Sequence, residues 1–335
     1  MRAERDQVSI AASTGKAEDI AAVQSRIRDL AEQKSAIILA HNYQIAPVQD
    51  IADYLDDSLG LAQKAAAEKD ARIIVFCGVH FMAETAAILA PDKKVLLPDP
   101  EAGCFLADTI TADALADWKE EYPDAVVVSY VNSTAAVKAL SDYCCTSSNA
   151  VKVVESIPPE KEILFLPDMF LGSWVREITG RKNLYLWPGE CHVHSPITLE
   201  MVLNIMDEYP AADIMVHPEC RCSATLGRMV DDNDPRLSGR IVKVFSTGGM
   251  VKYAQESPAR QFVVGTEKGI LHRMQKENPT KEFIPVSERS ICQYMKRITL
   301  KKVLNALENE VYHITVEPDI AAAAKGAVDR MVAIS

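Results

Sequence analysis

The chain has 335 residues and carries 47 acidic against 36 basic side chains, a net charge of −11 that argues against nucleic acid as the main partner. No apolar run reaches about 18 residues, so no spanning helix is expected, and the opening segment MRAERDQVSIAASTGKAEDI lacks the apolar stretch of a secretory signal. Eight cysteines in such a chain point to a reducing cytoplasm rather than to a disulfide scaffold.

A polar extension and a helix-patterned segment fill residues 1–35. Three copies of one folding unit follow, and their first strand-like runs are AIILAHNY (36–43), AVVVSYVN (125–132) and ADIMVHPE (212–219). Each run is continuously apolar and turns polar at its carboxyl end, the pattern of a strand buried on both faces. Each is followed by a helix-like stretch and then a short loop, Asp57-Ser58-Leu59-Gly60, Thr146-Ser147-Ser148-Asn149 or Ser246-Thr247-Gly248-Gly249. Further runs lie at 72–78 and 93–99, at 162–168 and 182–188, and at 261–267 and 281–287, with helices between them. The expected fold class is α/β: three pseudo-three-fold-related αβα units with parallel sheets around a central point. The units are placed at 36–115, 116–197 and 198–292, with a helical tail at 293–335.

A few residues after its last run, each unit delivers a cysteine: Cys104, Cys191 and Cys292. If the units pack around an axis, three thiolates meet, and three sulfurs suit a four-iron cubane with one iron left open. Other readings stay open at this point. Cys191 with His192 and His194 reads as a zinc site, which leaves Cys104 and Cys292 unexplained. Cys144-Cys145 and Cys220-x-Cys222 resemble a metal motif locally, but Cys77 and Cys145 read as small buried hydrophobes in strands.

The ends of the three first strands place His41, Asn42 and Tyr43, then Tyr130 and Asn132, then His217 and Glu219, beyond the carboxyl edge where parallel sheets bind ligands. An imidazole, a phenol and a carboxylate suit acid/base work. Ser58, Ser147 and Thr247 stand just before helices, where they either cap the helix or hold an anionic oxygen. His80 and Glu84 read as helix-terminal packing.

The segments AHNYQ (40–44), FCGVHFMAETA (76–86), GCFLAD (103–108), SYVNSTAAVKA (129–139), TSSNAV (146–151), WPGECHVH (187–194), HPEC (217–220), FSTGGM (245–250) and CQYMKRITL (292–300) together resemble the quinolinate synthase family, over residues 36–310. The resemblance implies a [4Fe–4S] cluster held by Cys104, Cys191 and Cys292. It implies condensation of iminoaspartate with dihydroxyacetone phosphate, giving quinolinate, phosphate and water on the way to NAD. It implies Tyr43, His217 and Glu219 as the proton-handling set. His41, Ser58, Tyr130, Asn132, Ser147 and Thr247 are implied as substrate-binding residues. A functional coupling to L-aspartate oxidase is the partner expected; neither nucleic acid nor membrane is. Two rival classes are an aconitase-type hydro-lyase, which needs no phosphate site, and a non-enzymatic iron–sulfur sensor, which favours a fourth thiolate that the sequence does not supply.

Overall fold

The computed structural model describes residues 17–334; the polar extension ahead of them lies outside the described residues. Twelve strands form three four-stranded parallel sheets. The first contains β1 (Ala36–His41), β2 (Tyr54–Asp56), β3 (Ile73–Cys77) and β4 (Lys94–Leu96) in the order β2-β1-β3-β4. The second contains β5 (Val126–Tyr130), β6 (Tyr143–Cys145), β7 (Ile163–Leu166) and β8 (Leu184–Leu186), ordered β6-β5-β7-β8. The third contains β9 (Asp213–Val216), β10 (Val242–Val244), β11 (Gln261–Gly265) and β12 (Glu282–Pro285), ordered β10-β9-β11-β12. Each sheet has the same strand order with helices between its strands, so the chain is α/β with three similar units.

The central strands form where the sequence supplies uninterrupted β-branched and aromatic residues. Ile73–Cys77 and Ile163–Leu166 are buried at every position, as strands covered by helices on both faces must be. The edge strands β2, β6 and β10 have three residues each. Sequence periodicity marked only the one around Cys145, because three residues are too few to show a period. These edges position the site. Pairing of His41 with Asp56 sets Ser58 beside the end of β1. Pairing of Tyr130 with Cys145, and of Val216 with Val244, does the same for Ser147 and Thr247.

One apolar core runs through the first two sheets and takes in helices Ala17–Gln33, Leu300–Asn309 and Pro318–Ala333. The third sheet has its own apolar clusters on its two faces. It meets the second through helices Met169–Thr179 and Ser223–Asp231, where a Cβ on Gly227 would lie 2.5 Å from the Trp174 ring, so only glycine permits the crossing. It meets the first through polar contacts. These include Asn42 Nδ2 to Thr247 Oγ1 at 3.0 Å, Gln49 Nε2 to Gly269 O at 2.8 Å, and His272 with Asp50 at 3.0 Å.

Candidate active site and metal centre

The three first strands end at equivalent positions. His41, Tyr130 and His217 form one equivalent set, and Tyr43, Asn132 and Glu219, two residues on, form a second. All six line a single cavity, together with Ser58, Ser147 and Thr247 and with Cys104, Cys191 and Cys292. The structure thus gathers every one of these sequence-predicted residues into one place, with contributions from all three sheets.

The polar groups form a connected chain. His41 Nδ1 accepts from the Tyr43 backbone N–H at 3.2 Å, and His217 Nδ1 accepts from the Glu219 backbone N–H at 3.4 Å. Accepting at Nδ1 places the proton of each neutral ring on Nε2, and His217 Nε2 then donates to Ser147 Oγ at 3.1 Å. Burial lowers His41 to about 4 and His217 to about 3, so both are neutral near pH 7. Tyr130 donates its hydroxyl to Glu219 Oε1 at 2.5 Å. Burial and the Glu219 charge raise both Tyr43 and Tyr130 well above a free phenol, which keeps them protonated. Burial pushes the Glu219 carboxyl up, but the neighbouring His194 and His217 rings and the Tyr130 hydrogen bond outweigh it and leave Glu219 at about 2. Asn132 Oδ1 is buried without a hydrogen-bond partner among the described residues, an acceptor available to a ligand.

His194 joins the two halves of this chain. Its Nδ1 lies 3.3 Å from both Glu219 Oε2 and Cys191 Sγ, and its Nε2 lies 3.2 Å from Tyr43 Oη and 3.0 Å from Thr266 Oγ1. The ring stacks on His217 with centroids 4.6 Å apart. Sequence reasoning weighed His194 only as a zinc ligand; its place three residues after Cys191 was the available signal.

The hydroxyl loops also differ from simple caps. Asp57 and Ser246, one residue earlier, are the N-caps of helices Ser58–Ala67 and Thr247–Glu256. The hydroxyls of Ser58 and Thr247 are therefore not spent on capping. Ser147 precedes its helix, Ala150–Glu155, by three residues. Asp57 Oδ2 also accepts from Ser148 Oγ at 2.5 Å and Ser246 Oγ at 3.1 Å, tying the loops of all three sheets together.

The three thiols that line the cavity come from loops of three different sheets. Burial pushes Cys104 up to about 12 and Cys292 up to about 11, and raises Cys191 well above a free thiol; the neighbouring sulfurs add to the rise of Cys104 and Cys191. A metal centre there would displace those protons, since thiolate is the binding form. Three soft sulfurs in a cavity that Val79, Phe81, Met82 and Leu106 also line suit an iron–sulfur group. Cys191, His194 and Glu219 also bring ligand atoms within 4.8 Å of one another, a mixed set that includes only one of the three thiols. His192 also lines the cavity and packs edge-on against Phe105 and Tyr294 at centroid distances of 6.0 Å. Cys77, Cys144, Cys145, Cys220 and Cys222 are buried and do not line the cavity. Glu267 anchors the Cys292 loop. Its Oε1 accepts from the Cys292 backbone N–H at 3.2 Å and pairs with Lys296 Nζ at 2.9 Å, while its Oε2 accepts from the Gly269 N–H at 2.7 Å. His80 and Glu84 stand 3.8 Å apart on one helix, where Glu84 also accepts from the Ala135 N–H at 3.0 Å, and neither lines the cavity.

The family model described as NadA, quinolinate synthetase A protein, matches residues 25–333. Quinolinate synthase of Mycobacterium tuberculosis (strain ATCC 25177 / H37Ra) is 50% identical over 310 residues, covering 92% of this chain and 88% of that protein. Quinolinate synthase of Mycobacterium sp. (strain KMS) is 49% identical, covering 92% and 91%, and that of Mycobacterium leprae (strain Br4923) is 50% identical, covering 92% and 87%. A match along nearly the whole chain, at half the aligned positions, joins a site built from all three sheets: the chain belongs to the quinolinate synthetase A family.

Proposed function

We propose that this chain is a quinolinate synthase, a transferase that condenses iminoaspartate with dihydroxyacetone phosphate and releases quinolinate, phosphate and water. The observation that carries the reading is the convergence of three thiols, three hydroxyls at helix-side loops and a chain of proton-bearing groups in one cavity. Cys104, Cys191 and Cys292 would hold a [4Fe–4S] cluster, whose iron without a thiolate ligand supplies Lewis-acid polarisation of a substrate oxygen when the cluster is bound.

The protein groups supply the rest. Ser58 and Thr247 open helices, where free backbone N–H groups and the helix dipole favour the carboxylate and phosphate oxygens of the substrates. Ser147 joins them, held by His217. His41 and His217 are neutral and orient substrate without adding charge. Tyr43 and Tyr130 are protonated and can give a proton to a developing oxyanion or leaving hydroxyl; His194 and Glu219 connect them, so a proton lost at one end can be replaced from the other. Burial of these groups excludes the water that would hydrolyse an imine. The eight free thiols support a reducing cytoplasm as the place of work.

The test is anaerobic protein assayed for iron and sulfide and for quinolinate formed from the two substrates. About four irons per chain are expected. Cys104→Ala, Cys191→Ala and Cys292→Ala should each lose most of the iron and all turnover, while Cys145→Ala and Cys222→Ala keep both. Cluster loss in Cys222→Ala with retention in Cys292→Ala would reverse the ligand assignment.

A further inference from the structure

Thr247 opens helix Thr247–Glu256 and lines the cavity, and its hydroxyl already has one partner. Asn42 Nδ2 donates to Thr247 Oγ1 at 3.0 Å. Asn42 is fully buried, and its backbone is fixed on both sides: its N–H donates to Asp56 O at 3.1 Å, and its carbonyl accepts from Gln49 Nε2 at 3.1 Å. The side-chain amide has two possible orientations, and Arg273 selects one. Arg273 Nη1 lies 2.9 Å from Asn42 Oδ1 and also donates to Leu55 O at 2.6 Å. A guanidinium has only donors. Asn42 must therefore face it with oxygen and face Thr247 with NH2. Thr247 in turn must accept from Asn42, which leaves its own hydrogen free for the cavity.

We propose that Arg273, which does not line the cavity, is a positioning residue that makes Thr247 an obligate hydrogen-bond donor to an anionic oxygen of the substrate. Without Arg273 the Asn42 amide can turn over and take the Thr247 hydrogen, and the hydroxyl would then present lone pairs to the anion. The guanidinium is kept in place by Glu277, whose Oε1 accepts from Arg273 Nε at 2.7 Å. Arg273 belongs to the third sheet's segment and Asn42 to the first's, so the relay is complete only when those two parts are docked. The inference rests on the reading of Thr247 as an anion-holding residue.

A double-mutant cycle tests it, on iron-loaded protein under anaerobic conditions, with pyridine-2,3-dicarboxylate as the titrated probe in a calorimeter. Thr247→Val keeps the shape and removes the hydroxyl; it should weaken binding by about tenfold or more, the effect of a hydrogen bond to a charged group. Arg273→Met should weaken binding by a similar factor in the parent protein but by less than about twofold in the Thr247→Val background. Arg273→Lys, which keeps a donor toward Asn42, should recover most of the affinity. Should Arg273→Met not accumulate folded, Arg273→Gln serves the same cycle, because its amide oxygen draws the Asn42 NH2 away from Thr247. Equal losses for the arginine variant in both backgrounds would reduce Arg273 to a structural contact and overturn the relay. Unchanged affinity in Thr247→Val alone would instead remove Thr247 from anion binding, and the relay with it.

Discussion

Replacing Glu267 by Gln should be among the most damaging single-atom changes in the protein. Glu267 is completely buried and one carboxylate meets three donors: the Cys292 N–H at 3.2 Å, the Gly269 N–H at 2.7 Å and Lys296 Nζ at 2.9 Å. Lys296 Nζ also donates to Tyr43 O, so the pair links the Cys292 loop to the end of the first strand. Glutamine has one acceptor oxygen, and its NH2 must then face another donor. The lysine loses its counter-charge at the same time. Breaking a buried pair by removing one partner costs about 3–5 kcal/mol. The Lys296 side chain is 17% exposed, so some water reaches it and the lower figure applies. About 3 kcal/mol is more than a hundredfold in the folded-to-unfolded ratio. Urea unfolding of the reduced, metal-free protein would measure it, followed by circular dichroism for all three sheets. Fluorescence gives a second probe, since Trp118, Trp174 and Trp187 all lie in the segment of the second sheet. Coincident transitions justify a single free energy. Glu267→Gln/Lys296→Met should recover part of the stability, because it removes the unpaired lysine charge, yet should still retain less iron, since a single amide oxygen cannot accept from both the Cys292 and the Gly269 N–H. A loss below about 1 kcal/mol in Glu267→Gln would refute the claim that the buried carboxylate is structurally required.

Tyr43→Phe removes a hydroxyl within reach of His194 and Thr266 and keeps the ring, so the fold and iron content should survive while single-turnover quinolinate formation falls by about a hundred- to ten-thousand-fold; near-parental turnover would leave Tyr43 as a wall of the cavity. His41 is held at about 4 when folded and returns to 6.5 when unfolded, so the unfolded chain binds more protons between those values and stability falls as pH drops through that window. By pH 5 the loss from His41 is about 2 kcal/mol, and His41→Gln should flatten that part of the profile; identical slopes in both proteins would mean that His41 is not held neutral. At Gly189 a Cβ would sit 2.4 Å from Pro167 O and 2.4 Å from Thr109 Oγ1, so Gly189→Ala should lose about 1–3 kcal/mol in urea unfolding and retain less iron at Cys191, two residues on.

The repeat was legible because each central strand is a long, doubly buried apolar run with an abrupt polar end, and the site residues sit at those ends. His41, Tyr130 and His217 could be aligned by spacing alone. The edge strands β2 and β10 could not be read, and they are what carry Ser58 and Thr247 to the cavity. Ser58 and Thr247 resembled helix caps, and only the structure showed that Asp57 and Ser246 take that work. The contributions of His194, Asn42 and Arg273 were hidden for a different reason. Their partners come from other sheets, and no local pattern encodes which side chains face one another once units dock. Glu267 likewise read as the polar end of a strand; its carboxylate acquires meaning from Cys292 and Lys296, which the chain reaches much later.

The third sheet is attached unevenly to its neighbours. On one side, helices Met169–Thr179 and Ser223–Asp231 interlock through Trp174 and Gly227; on the other, the contact with the first sheet is a seam of hydrogen bonds and ion pairs. Water can substitute for each bond of that seam at a net loss of about 0.5–1.5 kcal/mol, whereas parting the helix crossing would expose an indole. Any movement of the third unit would therefore part the polar seam at less cost than the helix crossing. Rotation about the crossing would uncover the buried face of Thr247 first and leave the thiols of Cys104 and Cys191, both outside the third sheet, at a fixed separation. Amide hydrogen exchange would register this asymmetry as faster exchange along the Asn42–Arg273 edge than along the Trp174 edge.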